Sequence, residues 1–305
     1  VKPFRVIVLG AAIVILGLAA TLRLHPTSLL LISSNVTSRS PYCTVWKASM
    51  DAPIKLRQQA RTEEIFHASR LVRSESRLSL WDTPGGQYWV PEADGHIVAL
   101  LLAQEERDIY GKGDWGVRPG DVVLDVGAYI GTWTKQALAR GAKLVVAIEP
   151  SPDSVECLKR NLAREIAAGQ VIVYPKGIWD FEGNLTLFSN GSAGVGNSFV
   201  EETRDNQKYE KMPVTTIDKL MAELKLQRVD FIKADVKGAT ERLLRGGASS
   251  IRSFTPRIAV STEETVDNPA AIASLARSIQ PAYQTKCGPC LMDQREVYTD
   301  VMFFR

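Results

Sequence analysis

The sequence predicts an α/β fold with a mostly parallel sheet, on three observations. Short apolar runs alternate with helix-compatible segments, the order expected when each strand hands over to a crossover helix. The first of these runs, Val122-Val123-Leu124, is too short for a helix, is bounded by Gly120 and Gly127, and delivers Asp125 near its end, as a buried strand feeding a tight turn would. With 305 residues, 45% hydrophobic and 23% charged, the chain can bury a full core and has neither a disordered nor a fibrous composition.

From the N-terminus, residues 1–25 read as a membrane or signal segment. Val6 to Leu22 is a 17-residue stretch without a charge, flanked by Lys2 and Arg5 before it and Arg23 after it. That length is at the short end of what spans a bilayer, so a transmembrane anchor is the first expectation. A cleaved signal peptide is the rival, from the basic start and the small residues Ala19 and Ala20, and a buried helix is the third reading. Lys2 and Arg5 oppose Arg23, Arg39 and Lys47, so the positive-inside rule leaves the orientation open. Residues 26–50 are expected to be a linker, with Ile32 to Pro41 rich in Ser, Thr and Asn. Residues 51–110 form an N-terminal helix and hairpin cap. An amphipathic helix is expected over Asp51–Arg77, with Ile54, Ala60, Ile65, Ala68 and Leu71 inward, followed by a hairpin over Leu78–Val90 around Thr83-Pro84-Gly85-Gly86. The hairpin carries Trp81, Tyr88 and Trp89, and a helix over Asp94–Tyr110 leads into the core.

Residues 111–305 hold the main domain. Strands are expected at 122–126, 143–148, 170–174, 229–234 and 257–261, helices at 132–140, 152–167, 214–224, 240–246 and 269–279, and two closing strands near 282–286 and 297–304. A hairpin-like section, Gly177–Phe188, is followed by a polar, glycine-rich loop over Ser189–Met212, and loops of that length are usually functional.

Charge excludes one class of partner. Residues 1–50 hold five basic residues and no acid, which leaves 32 basic against 34 acidic residues in the remainder. The globular part is near neutral, so nucleic acid is not expected. Cys287-Gly288-Pro289-Cys290 matches a thioredoxin-type tetrapeptide, but such a pair opens a helix and this one leads into a strand-like segment. A loop with two thiols able to form a disulfide is the expectation.

The turn after the first strand carries the chemistry. In open α/β sheets ligands sit at the C-terminal strand edge, and Gly127 and Gly131 let the backbone turn and approach one closely. The next strand delivers Glu149, 24 residues after Asp125, where a carboxylate can accept both hydroxyls of an adenosine ribose. A dinucleotide fingerprint needs a third glycine and a P-loop needs a lysine, and both are missing, which counts against a nicotinamide-dependent oxidoreductase. The pattern Asp125-x-Gly127-x-x-x-Gly131 resembles motif I of class I S-adenosylmethionine-dependent methyltransferases.

Three segments sharpen that resemblance. Asp108-Ile109-Tyr110 with Gly120 to Ala128, then Ala147-Ile148-Glu149-Pro150, then Asp230 to Ala239 together resemble the FkbM methyltransferases over roughly residues 78–304. The resemblance implies a Rossmann-like class I sheet, mostly parallel with one antiparallel C-terminal strand, and O-methyl transfer to hydroxyls of sugars, glycans, polyketides or other secondary metabolites. It implies S-adenosylmethionine held by Asp125, Gly127, Ala128, Tyr129, Gly131, Glu149, Pro150 and Ile178. Tyr129 stands where the family commonly has Asn, Lys237 and Thr240 replace two glutamates, and Glu263-Glu264 falls where many members carry a histidine. A catalytically silent cofactor-binding protein is therefore the alternative.

An oxygen acceptor must lose its proton during transfer. Asp235, ending the fourth core strand, is the candidate general base. A magnesium ion held by Asp235 with Glu263 or Glu264 is the other solution, since hard oxygen ligands suit it. Supply of the cofactor argues for a membrane-anchored protein with its catalytic domain in the cytoplasm, with export after signal cleavage as the alternative.

Overall fold

The computed structural model describes residues 37–38, 40–189, 198–200, 207–262, 268–293 and 296–305. The Val6–Leu22 segment and the Glu263-Glu264 pair lie outside them. Among the described residues no helix is long and apolar enough to cross a membrane.

After the short strand β1 (Thr37–Ser38), helix α1 spans Val45–His67. It starts inside the expected linker because Thr44 caps it, its hydroxyl accepting the Lys47 N–H at 3.1 Å. It also ends ten residues before the expected Arg77. Arg70–Glu75 is instead strand β2, joined to β3 (Leu78–Thr83) through a turn in which Ser76 adopts φ +51°, and β4 (Gly86–Pro91) completes a three-stranded meander. Of the five apolar positions expected to face inward, only Ile65 is fully buried, and Ala60, Ala68 and Leu71 are exposed. Helix α2 (Ile97–Glu106) follows. Ile65, Tyr88, Val90, Val98 and Leu102 pack with Tyr129 and Ile130, which seats this N-terminal unit on the turn after the first core strand.

The core alternates β5 (Val122–Val126), α3 (Thr132–Ala139), β6 (Leu144–Ile148), α4 (Pro152–Asn161), α5 (Ala163–Ala167) and β7 (Val171–Tyr174). A side sheet comes next, from β8 (Gly177–Ile178), β9 (Gly183–Ser189) and β10 (Gln207–Thr215), in the order β8-β10-β9. The expected loop is thus partly strand, because Lys211–Val214 pairs antiparallel with Gly183–Thr186. Helix α6 (Ile217–Glu223) begins after its Thr216 cap rather than at Val214. Then come β11 (Phe231–Ala234), α7 (Thr240–Gly246), α8 (Ala248–Phe254), β12 (Arg257–Ser261), α9 (Pro269–Ile279), β13 (Thr285–Cys287), β14 (Cys290–Asp293), β15 (Glu296–Thr299) and β16 (Val301–Phe304).

Seven of these strands form the main sheet, ordered β13-β16-β12-β11-β5-β6-β7. All neighbours pair in parallel except β16, which runs antiparallel to both β12 and β13. Leu124, Ile148, Ile232, Val260 and Phe304 face the helices of one side, and Val123, Val145, Phe231, Ala259 and Phe303 those of the other. Burial on both faces explains why these strands read as continuous apolar runs.

The cysteine expectation is corrected. Cys290 is bonded to Cys43, 247 residues away, and Cys287 is a free thiol. Gly288 N–H donates to Val301 O and Asp300 N–H to Pro289 O, so residues 287–290 run extended beside 299–302. Three extended residues separate the Cα atoms by about 10 Å, beyond the reach of a disulfide.

Candidate functional site

Strands β5, β6 and β11 end at one sheet edge, and the turn after β5 is fixed from several sides. Gly127 and Ala128 N–H groups both donate to Ile148 O at 3.0 Å. Gly127 has φ +78°, and a Cβ there would collide with the backbone carbonyl oxygen of Asp235, so only glycine lets β5 and β11 hand over at this spacing. At Gly131, with φ +85°, a Cβ would strike Leu158 of α4 and Leu162 just after it. That glycine serves helix packing.

Beneath the turn lies an ion pair. Lys233, in register with Asp125 on the neighbouring strand, places Nζ 3.0 Å from the Asp125 carboxylate and donates to Gly127 O at 2.8 Å. Thr134 donates to the other Asp125 oxygen at 2.6 Å. Both charges are almost completely buried. An unpaired charge there would cost several kcal/mol, so the pair ties the two strands and the turn into one unit. Glu105 of α2 is also drawn in. Burial raises its carboxyl to about 7, against the bond from Thr132, and the Asp125 charge adds to the rise.

Above the turn is a cavity of about 330 Å³, within the range of small-molecule sites. Gly127, Tyr129, Glu149, Pro150 and Ile178 line one wall, Ile97, Leu100, Leu101 and Gln104 of α2 form a roof, and Asp235, Val236, Lys237 and Ala239 face them. Ser198 and Phe199 close a side. The cavity therefore gathers Gly127, Tyr129, Glu149, Pro150, Ile178 and Asp235, whereas Asp125, Ala128 and Gly131 support it without lining it. The hairpin aromatics Trp81, Tyr88 and Trp89 do not line it either.

Glu149 accepts the Tyr129 N–H at 3.1 Å on one oxygen and the Ser151 N–H at 2.9 Å on the other. Each oxygen keeps a further acceptor position. Burial raises this carboxyl to about 7, with the two backbone bonds pulling the other way. Tyr129 sits at φ +50°, a conformation more easily adopted by Asn than by Tyr, and its hydroxyl donates to Asp94 at 3.0 Å. The phenol is raised well above its ordinary value, first by burial and then by the Asp94 charge. The tyrosine thus pins the turn to the N-terminal unit.

Asp235 is exposed at the cavity's open side, and its N–H continues the ladder to Val126 O at 2.9 Å. Lys237 lines the same wall, and its carbonyl accepts the Ser198 hydroxyl at 3.3 Å. Thr240, the other departure from the family pattern, is buried at the start of α7 and does not line the cavity. Among the described residues no group of three His, Cys, Asp or Glu could hold a metal ion.

Sequence reasoning missed Lys233 and Asp94. A lysine inside the apolar run Phe231-Ile232-Lys233-Ala234 was the available signal, since a buried strand keeps a charge only against a partner. Nothing in the sequence pairs Asp94 with Tyr129.

No curated protein matches this chain. Among solved structures it resembles the FkbM methyltransferase from Methylobacillus flagellatus KT, with 15% identity, 84% of this chain and 60% of that one covered, and a TM-score of 0.48. This chain thus spans less than two thirds of that protein's length. The precorrin-6y C5,15-methyltransferase from Geobacter metallireducens GS-15 follows at 11% identity, 62% and 82% coverage and TM-score 0.36. Trm5b from Pyrococcus abyssi stands at 14%, 76% and 56%, and TM-score 0.42. The description "Methyltransferase FkbM domain" matches residues 125–279, just over half of the chain and inclusive of the turn, Glu149 and Asp235. The chain belongs to the FkbM methyltransferase domain family.

Proposed function

We propose that the protein is an S-adenosylmethionine-dependent methyltransferase that acts on a hydroxyl of a sugar, glycan, polyketide or other secondary metabolite. The observation that carries this reading is the placement of the buried Glu149 carboxylate and the exposed Asp235 carboxylate on facing walls of one cavity. The donor set fits the cofactor. Glu149 retains acceptor capacity for the ribose hydroxyls, Ile148, Pro150 and Ile178 offer apolar surface for the adenine, and Gly127 places backbone at the cavity wall. When bound, the cofactor supplies an electrophilic methyl group on a sulfonium.

The chain's own task is positioning and proton removal. Asp235, open to solvent, is placed to take the acceptor's proton, and the α2 roof excludes water from the apolar side. Methyl transfer to a panel of hydroxylated acceptors tests this. Transfer should be lost in Asp235→Asn while cofactor binding persists, and stability should move by no more than about 0.5 kcal/mol, as for an exposed position. Absence of cofactor binding in folded protein would sink the reading.

Lys237 favours a second reading, a cofactor-binding protein without catalysis, because an ammonium on the Asp235 wall can neutralise the base. Binding without transfer to any acceptor, restored by Lys237→Glu, would favour it. Residues 6–22 support a membrane tether in either case. Disulfides persist in oxidising compartments, so Cys43–Cys290 supports a folded domain on the exported side rather than in the cytoplasm. A topology reporter fused after Arg305 tests this.

A further inference from the structure

A second cavity, of about 670 Å³, lies between α1 and the C-terminal strands and shares no lining residue with the first. Its walls carry six cations, Lys47, Arg57, Arg61, Arg107, Lys112 and Lys286, against three carboxylates. Each carboxylate is engaged. Asp51 accepts the Cys290 N–H at 2.8 Å, Glu106 is gripped through both oxygens by Arg61, and Asp108 is held by Arg140 with Lys112 at 3.8 Å. Arg107 pairs with the buried Asp300 at 2.7 Å, yet its buried Nε has no hydrogen-bond partner among the described residues.

Lys47, Arg57 and Lys286 thus line one concavity with no ion-pair partner among the described residues. Cations gathered in a cleft with low-dielectric walls focus a positive field there. The floor is apolar, from Ile54, Ile109, Trp115 and Phe303, and Lys286 Nζ lies 5.6 Å from the Trp115 ring.

We propose that this cleft binds a phosphate ester, its phosphate on Lys47, Arg57 and Lys286 and its organic body against Trp115 and Phe303. Three cations call for a dianion, since a single carboxylate would leave two of them uncompensated, and the Arg57 guanidinium can grip two phosphate oxygens at once. Helix α2 gives Leu100, Leu101 and Gln104 to the first cavity and Ala103 and Glu106, with Arg107 just after it, to the second, so occupancy of the cleft bears on the roof of the methyl-transfer site. The inference stands independently of which cofactor that site takes.

Calorimetry on the full chain with inorganic phosphate and with a hexose phosphate, and sedimentation with phosphatidylcholine vesicles with and without phosphatidic acid, test it. The hexose phosphate or the phosphatidic acid vesicles should bind, more weakly at higher salt, and at least tenfold more weakly in Arg57→Ala/Lys286→Ala, whose thermal midpoint should match that of the parent. Trp115→Ala should weaken the ester but not inorganic phosphate. Binding of the soluble ester alone identifies a soluble ligand, and variant-sensitive binding of the phosphatidic acid vesicles identifies a lipid headgroup. Failure of both to bind, or binding unchanged in the double variant, overturns the proposal.

Discussion

On the β5–β6 side of the first cavity nearly every polar group is engaged by the protein itself: Asp125 by Lys233 and Thr134, Glu149 by two backbone N–H groups, Tyr129 by Asp94. On the β11 side, Asp235 projects into solvent. The two walls therefore divide the work. The first is fixed before any ligand arrives, as a site for an invariant cofactor benefits from being. The second keeps its carboxylate exposed, as the proposed role of Asp235 in taking a proton from the acceptor requires.

The largest break in that contrast comes from Lys233→Met. It leaves Asp125 buried without its counter-ion and should cost about 3 to 5 kcal/mol, read by chemical denaturation. Gly127→Ala comes next, at roughly 3 kcal/mol from the collision with the Asp235 carbonyl and the left-handed backbone, with cofactor binding lost in whatever remains folded.

Glu149→Gln separates binding from folding. It should weaken the cofactor by about 10- to 100-fold, the worth of hydrogen bonds to a charged group. It should also flatten a pH dependence. With the Glu149 carboxyl raised to about 7, cofactor affinity in the parent should fall as pH drops through 7 and the carboxylate is lost. Stability moves the other way. Glu149 and Glu105 both bind their protons more tightly folded than unfolded, so their contribution is complete below the ordinary carboxylate range and is lost as pH rises through about 7. Thermal midpoints should be lower at pH 8 than at pH 5.5.

A comparable loss, about 1.5 to 3 kcal/mol for a bond to a buried charged group, is expected from Tyr129→Phe, with a larger fraction of the loss in cofactor affinity than in stability. Equal stability and affinity in the parent and this variant would show that the tyrosine does not couple the N-terminal unit to the turn.

The same division marks what the sequence could reveal. Strands 122–126 and 257–261 and helices 240–246 and 269–279 were legible to the residue, because short apolar runs bounded by Gly120 and Gly127 or opened after Pro256, and helix caps such as Asn268 before Pro269, are local signals. Strand β2 was not. Its exposed residues lack the alternation of a half-buried strand, and the helical spacing of Ile65, Ala68 and Leu71 runs across its start. The Lys233–Asp125 pair depends on the register between β11 and β5, and Cys43–Cys290 on contact between segments 247 residues apart, neither of which is written in any short window. Glycine positions were legible while their reasons were not: Gly131 answers to Leu158 and Leu162 rather than to a ligand.

The direct measurement is a calorimetric titration of the folded chain with S-adenosylhomocysteine at pH 8 and pH 6, for the parent and for Glu149→Gln. The account predicts one site, tighter at pH 8 in the parent and weak at both values in the variant. No binding by the parent, or a variant that binds as the parent does at both values, would contradict it.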